Sequence, residues 1–130
     1  MLPTMAGAQL RISITFPGTP EYLRLARLAA ADVGSRAGFD YEEIDDLRIA
    51  VSELCHLISG DGAPEPVTLD FTLEPDGVLL EGRAATRSPH PDNELSAAII
   101  AAVVDEHAVF RDDAGMRFRM LKRRRAATVG

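Results

Sequence analysis

Cysteine occurs once in the 130 residues, at Cys55, so no internal disulfide can form and a reducing compartment is the expected setting. Long apolar runs are absent as well. No stretch reaches the roughly 18 residues that a membrane helix needs, and the opening MLPTMAGAQ lacks the charged and apolar regions of a signal peptide. A cytoplasmic protein that does not enter a membrane is expected. Paired metal ligands are missing too. Cys55 and His56 are adjacent and would point about 100° apart on a helix, while His90 and His107 fall in distant segments, so no metal site is expected. A Cys-His nucleophile would need a partner brought by folding. Basic charge is outnumbered: 14 Lys and Arg face 20 Asp and Glu, giving a net charge of −6 and a pI near 5.0. That balance argues against nucleic acid as a direct partner. It suits a basic protein partner, and solubility alone would also explain it.

What is present reads as one ordinary globular domain, with 46% hydrophobic and 26% charged residues. Its expected bounds are 9–122, between flexible termini at 1–8 and 123–130. The clearest element is the helix from Asp40 to Ser59, DYEEIDDLRIAVSELCHLIS. Asp40 and Glu43 have the spacing of a capping box, and Phe39 and Ile44 that of a hydrophobic staple. Ile44, Leu47, Val51, Leu54, Cys55 and Ile58 form one apolar face; Ile49, Glu53 and Leu57 form a second column about half a turn away. A helix apolar on two sides is normally sandwiched, which would put Glu53 inside the protein or at the lip of a pocket. There a carboxylate must be paired, hydrogen-bonded or protonated.

Along the chain, Leu10, Ile12, Ile14 and Phe16 alternate with Arg11, Ser13 and Thr15 as a strand stopped by Pro17 and Gly18. Thr19, Pro20 and Glu21 open a helix to about Ala37, with Tyr22, Leu25, Ala26, Ala29 and Val33 as its predicted buried stripe and Gly38 as its left-handed stop. After a polar loop at 60–66, Val67 to Leu73 alternates as a second strand, Glu74-Pro75-Asp76-Gly77 turns, and Val78 to Glu81 returns as a third. A loop with two prolines follows. Asp92 or Asn93 then caps a third helix whose face is Leu95, Ile99, Ala102 and Val103, widened by Ile100 and Val104 and fraying near His107. Met116, Phe118 and Met120 make a last strand before the basic tail Lys122 to Arg125. The tail reads as a solubilising end or as a reach toward acidic partners or RNA. The order β-α-α-β-β-α-β predicts an α+β two-layer sandwich, a mixed sheet covered on one face by three helices.

This order, with D-D-L-R-I-A-V-S-E-L-C at Asp45 to Cys55 and the ending Val104 to Lys122, resembles the anti-sigma factor serine/threonine kinase family of the GHKL ATPase superfamily. The likeness runs from about Leu10 to Lys122 and looks closest to the actinobacterial type of anti-sigma factor. It implies a sigma factor and an anti-anti-sigma protein of the STAS type as partners, a homodimer paired through the sheet side near the first strand, and Arg24 as a partner-binding residue on the first helix. A solvated helix arginine is the plainer reading of Arg24.

The family's nucleotide chemistry is only partly matched. Its catalytic glutamate falls on Glu53, but the magnesium-holding asparagine four residues later is replaced by Leu57, which offers no oxygen to a hard cation. Where the family's adenine-binding box with its aspartate should follow the third strand, the chain has Gly82-Arg83-Ala84-Ala85-Thr86. Where a glycine box should cradle phosphates it has Asn93-Glu94-Leu95-Ser96, with side chains in the way and a negative charge at Glu94. The expectation is an anti-sigma regulatory factor without a working nucleotide site, Glu53 being a vestigial base kept for structure and tied to backbone or an arginine. Release of sigma would then be set by competing affinities. The alternative is an active kinase that binds ATP and magnesium and phosphorylates the antagonist.

Overall fold

The computed structural model describes residues 10–59, 65–86 and 94–125. The predicted leader at 1–8, most of the loop at 60–66, the two-proline segment with His90, and the cap at Asp92 or Asn93 lie outside them. Strand β1 (Arg11–Pro17) buries Phe16 and half-buries Ile12 and Ile14, leaving Arg11, Ser13 and Thr15 exposed, as its alternation predicts. A short 3-10 turn at Pro20–Tyr22, with proline where its missing amide needs no partner, leads into helix α1 (Leu23–Arg36).

The buried stripe of α1 differs from the predicted one. Ala26, Ala30, Val33 and Gly34 face inward, whereas Tyr22 and Leu25 are 37% and 47% exposed. Size decides this. A Cβ on Gly34 would stand 3.2 Å from Ile44 and 3.3 Å from Phe39, so α1 and α2 approach too closely for bulky side chains at the contact. Gly38, at φ 82°, ends α1 in the left-handed conformation expected of it.

Helix α2 (Tyr41–Ile58) carries the predicted capping box. The Asp40 carboxylate accepts from the Glu43 amide at 2.8 Å, and the Glu43 carboxylate accepts from the Asp40 amide at 2.9 Å. Leu47, Val51, Leu54, Cys55 and Ile58 are fully buried against the sheet. Strands β2 (Pro66–Glu74) and β3 (Gly77–Ala84) form the predicted hairpin, and helix α3 (Glu94–Val103) follows. Only Ser96 and Ile100 of α3 are buried; Leu95, expected inside, is 67% exposed.

The stretch expected to be the fraying end of this helix is instead strand β4 (Glu106–Asp112), joined by a tight turn to β5 (Gly115–Arg123). Asp112 makes the turn, its carboxylate accepting from the amides of Ala114 at 2.8 Å and Gly115 at 3.1 Å. Among the described residues the sheet therefore has five strands in the order β1-β2-β3-β5-β4, and every neighbouring pair is antiparallel, where a mixed sheet was expected. Helix count explains the difference. Two helices between β1 and β2 bring the chain back to the end it left, so β2 runs against β1. One helix between β3 and β4 makes those two run the same way, and β5 separates them.

The two-layer α+β sandwich is as predicted, but the chain end is more engaged than a solvated tail. Lys122 is 7% exposed, its ammonium donating to the Val103 carbonyl at 2.8 Å. Arg124 donates to the Ala37 carbonyl at 3.1 Å. Arg125 donates through its backbone amide to Glu43 at 2.6 Å and through its guanidinium to Asp40 at 2.7 Å. No helix among the described residues is long and apolar enough to cross a membrane.

Candidate functional site

Glu53 lies in the last third of α2, one turn before Leu57, and it is half-buried. Among the described residues its partner is neither backbone nor arginine. The Ser96 hydroxyl, on the first turn of α3, donates to it at 2.9 Å, and Ser96 is itself only 6% exposed. Leu57 is 7% exposed and belongs to the apolar core, so the column that carries Glu53 turns from polar to hydrocarbon within one helical turn. Glu53 also borders an open concavity of about 340 Å3 lined by Arg27, Asp45, Arg48, Ile49 and Ser52. Within it Arg48 pairs with Asp45 at 3.3 Å, and Arg27 reaches toward the Ser52 hydroxyl at 3.4 Å.

The stretch Gly82 to Thr86, expected to follow the third strand, is strand as far as Ala84 and is occupied by structural contacts. The Phe118 ring packs on Gly82, leaving no room for a Cβ there. Arg83 donates to Asp70 at 2.7 Å across the hairpin, and Thr86 is buried with its hydroxyl unpartnered among the described residues. Asp70 stands on the sheet face away from the helices and also accepts from Ser13. Its burial alone would raise the pKa, but the Ser13 hydroxyl and the Arg83 guanidinium outweigh it and hold the carboxyl below the usual range. Burial pushes the Cys55 thiol up to about 12, which makes it inert as a nucleophile. Among the described residues no three His, Cys, Asp or Glu side chains converge as metal ligands would.

Arg24 is exposed on α1, beside Leu25 and Leu28, which also face solvent, the latter 60% exposed. Arg24 and Glu53 are thus not one cluster, although Arg27, one turn on from Arg24, lines the concavity that Glu53 borders. Sequence reasoning placed Ser96 only as an obstruction and missed it as Glu53's partner. The two are 43 residues apart, and no local spacing announces such a pair.

A profile of the histidine kinase-like ATPase domain matches residues 16–122, from the end of β1 to β5. The chain belongs to that family. Among curated relatives, the serine-protein kinase RsbW of Listeria monocytogenes is 39% identical over 77 residues, covering 55% of this chain and 48% of that protein. The chain's match thus spans about half the length of that relative. RsbW of Bacillus subtilis is 50% identical over 44 residues, 34% of this chain and 28% of the relative, and RsbW of Bacillus thuringiensis is 27% identical over 135 aligned positions, 86% and 84%. A crystal structure of the RsbU and RsbW domains of Rv1364c from Mycobacterium tuberculosis superposes with a TM-score of 0.66 at 18% identity, covering 92% of this chain and 35% of that one. At that identity the likeness speaks for the fold alone. The profile and the curated relatives bear out the expected kinship: this histidine kinase-like ATPase domain is similar to RsbW.

Proposed function

We propose that this domain is a cytoplasmic anti-sigma regulatory factor that sequesters a sigma factor and yields it to an anti-anti-sigma protein, without phosphotransfer. The observation that carries the reading is Leu57, packed in the apolar core one turn beyond Glu53, where the resembled family holds its magnesium. A hard cation requires oxygen ligands and finds none there. Support comes also from Ser96 and Glu94 at the start of α3, where phosphates would need close backbone approach, and from the absence of any carboxylate between Gly82 and Thr86. The residues present do not fit a magnesium nucleotide. Recognition would then rest on the outer surface. Arg24, flanked by Leu25 and Leu28, is a forked donor beside exposed apolar area, the composition of an interface anchor. Homodimerisation through the sheet side near β1 belongs to the same proposal.

The enzymatic reading keeps one observation in its favour: Glu53 is retained, half-exposed and bordered by a concavity of about 340 Å3. Calorimetry separates the two. The purified chain is titrated with a sigma factor from its own host, with an antagonist protein of the STAS type, and with ATP and magnesium. Saturable heat with the first two, weakened about 10-fold or more by Arg24→Ala, and none with nucleotide is the expected result. Micromolar binding of ATP and phosphate transfer to a serine of the antagonist would establish the kinase instead.

A further inference from the structure

The sheet face away from the helices carries a concavity of about 240 Å3 at the end where β4 turns into β5. Thr68, Arg83 and Arg117 stand in one row across it, directly opposite one another on β2, β3 and β5, and Pro66, Ala84 and Ala85 supply an apolar wall. Like charges directly opposite on neighbouring strands repel, and each guanidinium is steadied by an acid of its own. Arg83 donates through Nη1 to Asp70, and Arg117 through Nε to Asp112. Those acids are fully engaged. One Asp70 oxygen accepts from the Ser13 hydroxyl and the other from Arg83, with Arg11 3.8 Å away. One Asp112 oxygen accepts from the amides of Ala114 and Gly115 and the other from Arg117. Donors, by contrast, are in surplus. A guanidinium carries five N–H groups, and among the described residues Arg83 and Arg117 each spend one of them on an acid. Charge points the same way. Three guanidiniums, Arg11, Arg83 and Arg117, meet two carboxylates, Asp70 and Asp112, while Glu81 and Arg119, opposite each other on β3 and β5, cancel. One positive charge is left over, in a chain whose net charge is −6.

We propose that this concavity binds a monocarboxylate with a short aliphatic body, its two oxygens shared between Arg83 and Arg117 and its body against Pro66 and Ala85. Three features select that class. A guanidinium fork matches a flat carboxylate better than it matches a point charge. One negative charge balances the surplus, whereas a second one, as on a phosphate dianion, would be set against Asp112. The space, about 240 Å3, lies below the roughly 300–1,000 Å3 of pockets that enclose drug-sized ligands, so the occupant is no larger than a side chain. Asp70 and Asp112 hold both forks in place before the ligand arrives, which lowers the entropy cost of binding. A free organic acid and a glutamate side chain presented by another protein offer the same group. The inference stands apart from the anti-sigma reading, since it uses neither the helices nor Glu53.

Arginine side-chain resonances of the full chain test the site. As butyrate is added at constant ionic strength, the Nε–H signals of Arg83 and Arg117 should shift saturably in the millimolar range while that of Arg24 stays in place. Butyramide, the same body without the charge, should move none of them. Arg117→Lys keeps the charge but loses the fork, and should weaken butyrate binding by about 10-fold, the worth of one hydrogen bond between charged groups. Should that variant not fold, Ala85→Asp, at an exposed position, sets a fixed negative charge at the wall and should weaken binding in the same direction. A short glutamate-containing peptide with blocked ends distinguishes the sources: tighter binding than butyrate assigns the group to a partner protein, and weaker binding assigns it to a free acid, the site standing in both cases. No saturation with either probe, an equal shift at Arg24, or tighter binding of inorganic phosphate than of butyrate would overturn the proposal.

Discussion

Replacing Leu57 with asparagine would restore, in letters, the oxygen ligand that the family carries, and the structure says that it should damage the fold instead. Leu57 is 7% exposed in the main core cluster. Removing a side chain so buried forfeits about 2 kcal/mol of transfer free energy, and an amide left without full hydrogen bonding adds about 1–3 kcal/mol. The sum, about 3–5 kcal/mol, is a large part of the roughly 5–15 kcal/mol that holds a domain together. For a chain of this length each kcal/mol is worth about 4 °C in Tm, so Leu57→Asn should melt about 10–20 °C lower. Calorimetric melting with and without about 1 mM ATP and magnesium is the assay. A ligand with a Kd near 10 μM at that concentration would add about 2.7 kcal/mol, or about 10 °C. A variant that melts close to the parent, and gains several degrees with nucleotide, would show that the site beside Glu53 can still take a metal and would refute the reasoning.

Gly82→Ala should cost about 1–3 kcal/mol by driving a methyl into the Phe118 ring, and Phe118→Leu in the same chain should return part of that loss in a double-mutant cycle. Cys55, buried and with its pKa raised to about 12, should react with an aromatic disulfide reagent only as fast as the domain unfolds, so labelling rates should follow denaturant as unfolding rates do. Asp70 has a lowered pKa in the fold, so it contributes stability at pH above its ordinary value near 4 and loses that contribution as pH falls through the lowered one. Urea midpoints should therefore drop more steeply on acidification in the wild type than in Asp70→Asn. Arg125→Ala should lower the Tm more at low salt than at high salt, since its contacts with Asp40 and Glu42 are exposed charge pairs; equal loss in both would point to packing.

What the chain shows in its letters is local. The Asp40 capping box, the Gly38 stop and the β2–β3 hairpin follow from short-range chemistry, and each stands where its spacing puts it. Helix registers were less legible. Leu25 and Leu95 are apolar and correctly spaced, yet the close approach of α1 to α2 admits only small residues, and α3 has too little of the domain beneath it to bury a second large side chain. Strand β4 hid because seven residues of weak alternation follow directly on an alanine-rich helix, and only pairing with β5 makes them a strand. At the candidate site, Glu53 and Leu57 were legible as a column on one helix. Their surroundings were not: Ser96 reaches Glu53 from a separate element, and Arg125 reaches Asp40 from the far end of the chain, both through tertiary contact that no local period encodes.

The position of β5 has a consequence for how the molecule is made. It comes last of the strands, yet it lies between β3 and β4 and supplies Met116, Phe118 and Met120 to the buried layer. A nascent polypeptide that has emerged only as far as Asp112 has its β4 with nothing to pair to and an open edge along β3. Such an intermediate on the ribosome would display unpaired strand edges to whatever lies nearby. Translation must deliver the residues from Gly115 onward before cooperative closure is available, and messages truncated just upstream should yield chains that are recognised by chaperones and degraded.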